Sequence, residues 1–206
     1  MNFLAHCWLA RHDEAHIAGA FLGDFVKGPV PTTYPSDVQS GIRLHRHIDS
    51  KSNRMEEMRA TYWRFGKPLR RAAPILLDLV ADHLLAVHWK AHGEGELSDF
   101  TNYCYGVLTK FEMPDSAAKF LKHTMDQDLW STYSDLNVML RIMQRILHRL
   151  KNEDVAALSV IARDIDVFYD DFQSYFPLIE KQAAIWWADN VPDGQVARVG
   201  MKVRKS

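Results

Sequence analysis

Side chains of the types that bind metal ions occupy positions that otherwise belong to the apolar faces of predicted helices. A carboxylate that faces a protein core is costly unless it is paired or bound to an ion, because desolvation penalises the bare charge. Convergence of several such groups from different helices would remove that cost for all of them. We therefore expect a metal site, and a metal-dependent hydrolase is the leading hypothesis. The candidate residues are His6, Asp24, His45, Asp49, Asp78, Asp82 and His83.

The spacing of these residues follows the period of an α-helix. Ile42, His45 and Asp49 continue one helical face, so the last two lie one above the other on an apolar seam. Asp78 and Asp82 are four residues apart and share a face in the same way. A single buried His or Asp is usually a core residue whose hydrogen bonds are satisfied. Because four predicted helices each carry such groups on the buried face, a shared metal or catalytic role is favoured.

The elements that must position these groups are all predicted to be helical. Apolar residues recur with helical period along most of the chain, and no segment has a convincing strand pattern. Asp13 is expected to cap the start of the second helix, and Pro177 to kink or split the last one. We predict an all-α fold, a single-domain helical bundle over residues 1–190, followed by a flexible basic tail over residues 191–206. Predicted helices cover about residues 2–11, 14–27, 36–53, 55–66, 69–92, 97–112, 115–129, 132–150 and 154–190.

Composition limits the class of protein. The chain has 206 residues, a formal net charge of −1 and a mean hydropathy of −0.25. No apolar run approaches the roughly 18 residues that cross a bilayer, and the first residues are typical of a helix rather than a signal peptide. Cys7 and Cys104 are the only cysteines and lack metal-type spacing, which suggests a reducing compartment. We expect a cytoplasmic protein without a membrane partner.

Four motifs carry a family resemblance. MNFLAH, GDFVKG, HRHID and LDLVADHLLAVHW, in this order and at this spacing, resemble the bacterial acyl carrier protein phosphodiesterases. The resemblance covers about the first 180 residues and is densest before residue 92. It implies a helical fold that diverges from the HD-type metal-dependent phosphohydrolases, with a divalent metal that is typically manganese. It also implies hydrolysis of the phosphodiester between 4′-phosphopantetheine and a serine of holo-acyl carrier protein, which yields apo-carrier protein and 4′-phosphopantetheine.

The chain departs from the family pattern beside His6, where it has Cys7 and Trp8 and family members often have smaller residues or a second histidine. Carried over position by position, the resemblance implies functional roles for the same seven residues that the helical faces select. We expect metal binding by Asp24, His45, Asp49, Asp78 and Asp82, and catalytic roles for Asp24, His6 and His83. Carboxylate oxygen with imidazole suits Mn²⁺ or Mg²⁺. The ion would activate a water for in-line attack on phosphorus, and His6 or His83 would protonate the departing serine oxygen.

A basic segment follows the third predicted helix. From Lys51 to Arg71 the chain has seven basic residues and two acidic ones, a local excess of five positive charges. Carrier proteins are strongly acidic, so this segment is expected to steer them to the site, with Trp63 as an apolar anchor. No nucleic-acid motif accompanies it, and no nucleic-acid partner is expected. The residues expected to bind substrate are Arg46, Arg54, Arg59, Arg64 and Lys67.

Two other classes of protein remain open at this point. An HD-type phosphohydrolase that acts on nucleotides or another small phosphodiester would turn over its substrate without a carrier protein. A non-catalytic helical or di-iron bundle would normally carry Glu-x-x-His pairs on two helices, and the sequence has none.

Overall fold

The computed structural model describes residues 2–152 and 154–191. Over these ranges the chain forms α-helices and short 3₁₀ helices without any strand, which confirms the all-α prediction. The α-helices are α1 (Phe3–Leu9), α2 (Glu14–Leu22), α3 (Ser36–Ser52), α4 (Glu56–Thr61), α5 (Gly66–Leu69), α6 (Ala73–Val87), α7 (Trp89–His92), α8 (Leu97–Leu108), α9 (Asp115–Asp126), α10 (Leu136–Arg149), α11 (Ser159–Arg163) and α12 (Ile165–Asn190). The 3₁₀ helices are Tyr62–Phe65, Ser131–Ser134 and Val155–Leu158.

Helices α2 and α3 pack with their backbones in direct contact. The carboxylate of Asp13 accepts a hydrogen bond from the backbone N–H of His16, so the expected cap of α2 is confirmed. A Cβ added at Gly19 would lie 2.3 Å from the carbonyl oxygen of Val38, and one at Gly41 would lie 2.5 Å from the carbonyl oxygen of His16. Glycine at both positions therefore allows the close approach that places α3 against the end of α2.

Helix α6 is almost wholly buried and contacts α1, α10 and α12. Pro74 stands in its first turn, where a missing backbone N–H removes no intrahelical bond. The segment expected to be one helix over residues 69–92 is divided, because α6 ends at Val87 and α7 starts at Trp89. The carboxylate of Asp82 reaches the backbone of α1, and Asp78 lines a cleft that Asp49 of α3 also lines.

Helix α12 runs without interruption through Pro177, so the proline does not split the last helix; the segment expected over residues 154–190 is divided earlier, where α11 ends at Arg163 and α12 begins at Ile165. Pro177 and Gln173, whose carbonyl loses its intrahelical donor, are both exposed, and water can replace the missing hydrogen bond. Phe172, Phe176 and Ile179 are buried on the other face and hold the helix against the core on both sides of the proline.

No helix in the described part of the chain is both long and apolar enough to span a bilayer. The last helix ends at Asn190. A flexible basic tail is expected over residues 191–206, and of these only Val191 is among the described residues.

Candidate metal centre

Two imidazoles and a carboxylate meet where α1 crosses α3. Nε2 of His6 lies 3.0 Å from Oδ1 of Asp49, and Nε2 of His45 lies 3.3 Å from Oδ2 of the same carboxylate. The rings of His6 and His45 stack with their centroids 3.8 Å apart. One ligand atom from each of the three residues falls within 4.8 Å of the other two. We call these three residues the His–His–Asp cluster.

The ring of His45 is fixed by helix α2. Its Nδ1–H donates to the carbonyl oxygen of Ala20 at 2.8 Å, which turns Nε2 toward the cluster. Gly23 provides the space for the ring, since a Cβ there would lie 2.2 Å from Cγ of His45. The orientation of the His45 ring therefore depends on the Ala20 carbonyl and on Gly23, which the close packing of α2 and α3 brings next to it.

The position of His6 depends on Asp82. The Asp82 carboxylate is fully buried and accepts hydrogen bonds from the backbone N–H groups of Leu4 and Ala5, at 3.0 and 3.1 Å. Burial raises the pKa of Asp82 to about 7, although these two donors act in the opposite direction. An acceptor at this place satisfies the free N–H groups of the first turn of α1. Asp82 thus anchors the helix that carries His6, and the structure does not bring it into the His–His–Asp cluster.

The protonation states of the cluster suit a cation. Burial, assisted by the neighbouring His45, lowers the pKa of His6 to about 3, so its imidazole is neutral near neutral pH. Burial by itself would raise the pKa of Asp49, but the contacts of its carboxylate with the imidazoles of His45 and His6 hold it well below its usual range. A neutral imidazole and an ionised carboxylate are the forms that bind metal ions.

The spacing of the donor atoms also fits a hard divalent ion. Adjacent ligands in octahedral coordination, with bonds about 2.1 Å long, are about 3.0 Å apart. The distances from the two imidazole Nε2 atoms to Asp49, 3.0 Å to Oδ1 and 3.3 Å to Oδ2, are close to this separation. Imidazole and carboxylate donors without a thiolate bind divalent metal ions, and these three residues by themselves do not select one ion. The residues present are therefore able to hold such an ion.

Asp24 and Asp78 lie near the cluster in a cleft of about 980 Å³, which Asp49 also lines. Oδ1 of Asp24 is 3.9 Å from Nε2 of His45, and its side chain is 43% exposed. Burial raises the pKa of Asp78 above its ordinary value. Three of the seven residues selected from the sequence, Asp24, Asp49 and Asp78, thus line a single cleft, and His6 and His45 contact one of them, Asp49.

The rest of the cleft surface includes features that sequence reasoning missed. Apolar groups such as Phe3 and Ile142 line it, together with the cationic side chains of Lys27, Arg145 and Arg149. The only available signal was the four-residue spacing of basic residues on α10, which is also typical of a solvated helix face.

His83 lies apart from the cluster and does not line this cleft. Its ring is buried, and Nδ1–H donates to the carbonyl oxygen of Tyr133 at 2.7 Å. Burial lowers the pKa of His83, so the ring is neutral near neutral pH. The expected role of His83 as a proton donor therefore has no geometric support in this arrangement.

The five basic residues expected to bind substrate are divided among different environments. Arg54 and Arg59 line a second depression, of about 740 Å³, together with Trp63 and Arg70. We call this depression the basic groove; it meets the cleft at Pro74, which lines both.

The other three residues of that set have different surroundings. The Arg46 guanidinium donates to the carbonyl oxygen of Val26 at 2.7 Å and braces the loop that carries Asp24. Arg64 forms a bidentate ion pair with Asp171 of α12. Lys67 is exposed and lines neither the groove nor the cleft.

Fold and site together define a helical protein with a candidate divalent-metal centre beside a cleft. Comparison with known proteins identifies the family. Residues 1–179 match the family model for acyl carrier protein phosphodiesterase. The chain therefore belongs to the acyl carrier protein phosphodiesterase family, which confirms the resemblance found in the sequence.

Individual relatives agree with this assignment. An acyl carrier protein phosphodiesterase of Enterobacter sp. (strain 638) is 34% identical over 182 residues, covering 85% of this chain and 92% of the relative. One of Salmonella heidelberg (strain SL476) is 34% identical over 194 residues, covering 89% of this chain and 98% of the relative. No solved structure matches the chain.

Proposed function

We propose that this protein is a metal-dependent acyl carrier protein phosphodiesterase. It cleaves the phosphodiester that joins 4′-phosphopantetheine to a serine of holo-acyl carrier protein, and the products are apo-carrier protein and 4′-phosphopantetheine. The observation that carries the proposal is the His–His–Asp cluster beside a cleft, in a chain of this family. A cytoplasmic location and a distant relation to HD-type phosphohydrolases accompany the proposal as predictions.

His6, His45 and Asp49 are the proposed metal ligands, and Asp24 is the next candidate because it is 3.9 Å from His45 and half-exposed. A bound Mn²⁺ or Mg²⁺ ion would supply Lewis-acid activation of water and of the phosphoryl group. Asp24 is also placed to accept the proton of the attacking water, since its carboxylate faces the open cleft. Asp78 adds a third carboxylate to the cleft, beside Asp24 and Asp49. Asp82 holds α1 so that His6 keeps its position.

The basic groove is the proposed docking surface for the carrier protein. Arg54, Arg59 and Arg70 line it, against a single acidic residue, Glu56. Trp63 is 69% exposed, and the Arg70 guanidinium lies 3.4 Å from the centre of its ring, so an aromatic anchor and a cation stand together. An acidic partner bound here would present its prosthetic group to the adjoining cleft.

Docking can be separated from chemistry by changing the groove alone. The double variant Arg54→Gln/Arg59→Gln should raise KM for holo-carrier protein about tenfold at low salt and leave kcat nearly unchanged. Added salt should raise KM in the wild type and have much less effect in the variant. Equal KM values for the two proteins at low salt would exclude the groove as the docking surface.

The decisive test measures the mass of the carrier protein before and after incubation. Purified protein, Mn²⁺ and holo-acyl carrier protein are incubated, and intact mass spectrometry follows the loss of one phosphopantetheine group. We expect loss with the wild type, none after chelation of the metal, and none with Asp49→Asn or Asp24→Asn. An unchanged carrier mass with folded, metal-loaded protein would favour the alternative substrate class, nucleotides or other small phosphodiesters.

A further inference from the structure

A group of basic residues shares the cleft with the candidate metal centre. Lys27 follows α2 in the same loop as Asp24, and Arg145 and Arg149 are one turn apart on α10. We call these three residues the cationic wall. Their chain positions, far from the basic groove, show that the fold supplies positive charge to the cleft independently of the expected docking segment.

The cationic wall has no protein partner in the described part of the chain. Lys27, Arg145 and Arg149 are all exposed, and none of them makes a hydrogen bond or ion pair with a described residue. Arg46 and Arg64, by contrast, are held by a backbone carbonyl and by a carboxylate. Guanidinium groups that face a cleft without a partner are able to bind an anionic ligand.

Charge balance at the cluster indicates which ligand this is. The cleft is lined by three carboxylates, Asp24, Asp49 and Asp78, and two of them are enough to balance the charge of one divalent ion. A phosphodiester brings one further negative charge, and a phosphate monoester brings nearly two near neutral pH. The planar fork of arginine binds two phosphate oxygens at once, which makes it well suited to this group.

We propose that Arg145 and Arg149, with Lys27, bind the phosphate of the 4′-phosphopantetheine group and orient it toward the candidate metal centre. This inference rests on the proposed function. In the reaction a water oxygen bonds to phosphorus while the bond from phosphorus to the serine oxygen breaks. The serine oxygen takes up one proton, and the phosphate monoester loses its second proton above a pKa of about 6. Because the product then carries more negative charge than the substrate diester, the cationic wall binds the product more tightly.

The test measures binding of free 4′-phosphopantetheine to Mn²⁺-loaded protein by isothermal titration calorimetry, and its inhibition of carrier-protein cleavage. Arg145→Gln/Arg149→Gln should weaken both binding and product inhibition at least about tenfold. Arg141→Gln is the matched control, because Arg141 is one turn earlier on α10, exposed, and absent from the cleft surface. Since all three arginines are exposed, the thermal midpoints of the variants should equal that of the wild type.

Wild-type affinity in the double variant, or an equal loss in Arg141→Gln, would overturn the inference. The outcome is distinguishable from failure of the proposed function. If the protein binds 4′-phosphopantetheine through the two arginines but leaves holo-carrier protein intact, the phosphate site is supported and the proposed reaction is wrong. If it cleaves the carrier protein while the double variant binds the product normally, the reaction stands and the phosphate site is wrong.

Discussion

Replacing Gly23 by alanine should disable metal binding without unfolding the protein. The new Cβ would lie 2.2 Å from Cγ, 2.4 Å from Cδ2 and 2.6 Å from Nδ1 of His45. Ordinary contact requires about 3.4 Å, so the ring must move by roughly 3.4 − 2.2 = 1.2 Å. The His45 ring is stacked on the His6 ring with their centroids 3.8 Å apart, so a movement of His45 also disturbs a second candidate ligand.

The substitution is expected to weaken Mn²⁺ binding much more than it lowers the stability of the fold. Metal sites keep ligand distances within about 0.2 Å, and loss of supporting contacts alone weakens them by 10–100-fold. We therefore expect the Mn²⁺ affinity of Gly23→Ala to fall by at least about 100-fold. Gly23 is the C-cap of α2 and has right-handed helical backbone angles, so alanine is not strained there. The loss of stability should therefore be limited to the roughly 1–3 kcal/mol that overpacking typically costs.

The assay titrates Mn²⁺ into metal-free protein by calorimetry and compares urea unfolding of the same samples. Gly106→Ala on α8 is the control, because a Cβ there meets no atom within 4 Å. It should bind Mn²⁺ like the wild type and be equally stable or slightly more stable. Wild-type Mn²⁺ affinity in Gly23→Ala would show that the His45 ring does not need the space that this glycine leaves.

Two further predictions concern the support of the site. Gly41→Ala should destabilise the protein by about 1–3 kcal/mol in urea unfolding, because its Cβ would meet the His16 carbonyl oxygen at 2.5 Å; an unchanged midpoint would contradict the close packing of α2 and α3. The raised pKa of Asp82, about 7 against an ordinary 3.8, means that the folded state retains a proton that the unfolded state releases. Stability should therefore fall by up to about 4 kcal/mol as pH rises from about 4 to 7, a slope that Asp82→Asn should lack in unfolding measured across this range. The same slope in both proteins would contradict the assignment of the titration to Asp82.

Helical periodicity predicted the fold class and much of the cluster. His45 lies on the buried face of α3, as its spacing indicated, Asp49 one turn further on is partly exposed to the cleft, and Asp13 caps α2. These features are local, because they depend on which side of a helix faces the core. The family resemblance added the substrate, which no pattern of apolar residues is able to supply.

The same periodicity could not separate Asp78 from Asp82. The two residues share a face of α6, yet one lines the cleft and the other accepts hydrogen bonds from Leu4 and Ala5. That second role depends on a contact between residues 77 and 78 positions apart in the chain, and a sequence pattern does not report it. A buried carboxylate that anchors a helix and one that binds a metal look alike in the sequence.

The cationic wall was missed for a related reason. Arg145 and Arg149 are exposed on a strongly amphipathic helix, and exposed cations at helical spacing are typical of a solvated face. Only the packing of α10 on α6 and its place beside the Asp24 loop turn this face into part of a cleft.

His6, His45 and Asp49 are the proposed ligands of a divalent ion, and the position of that ion can be measured directly. Crystals soaked in Mn²⁺ and measured near the manganese absorption edge would locate the ion by anomalous scattering. We expect a peak about 2.0–2.3 Å from Nε2 of both histidines and from the Asp49 carboxylate. A fully occupied peak at another place in the cleft, with the three side chains uncoordinated, would contradict this assignment of the ligands.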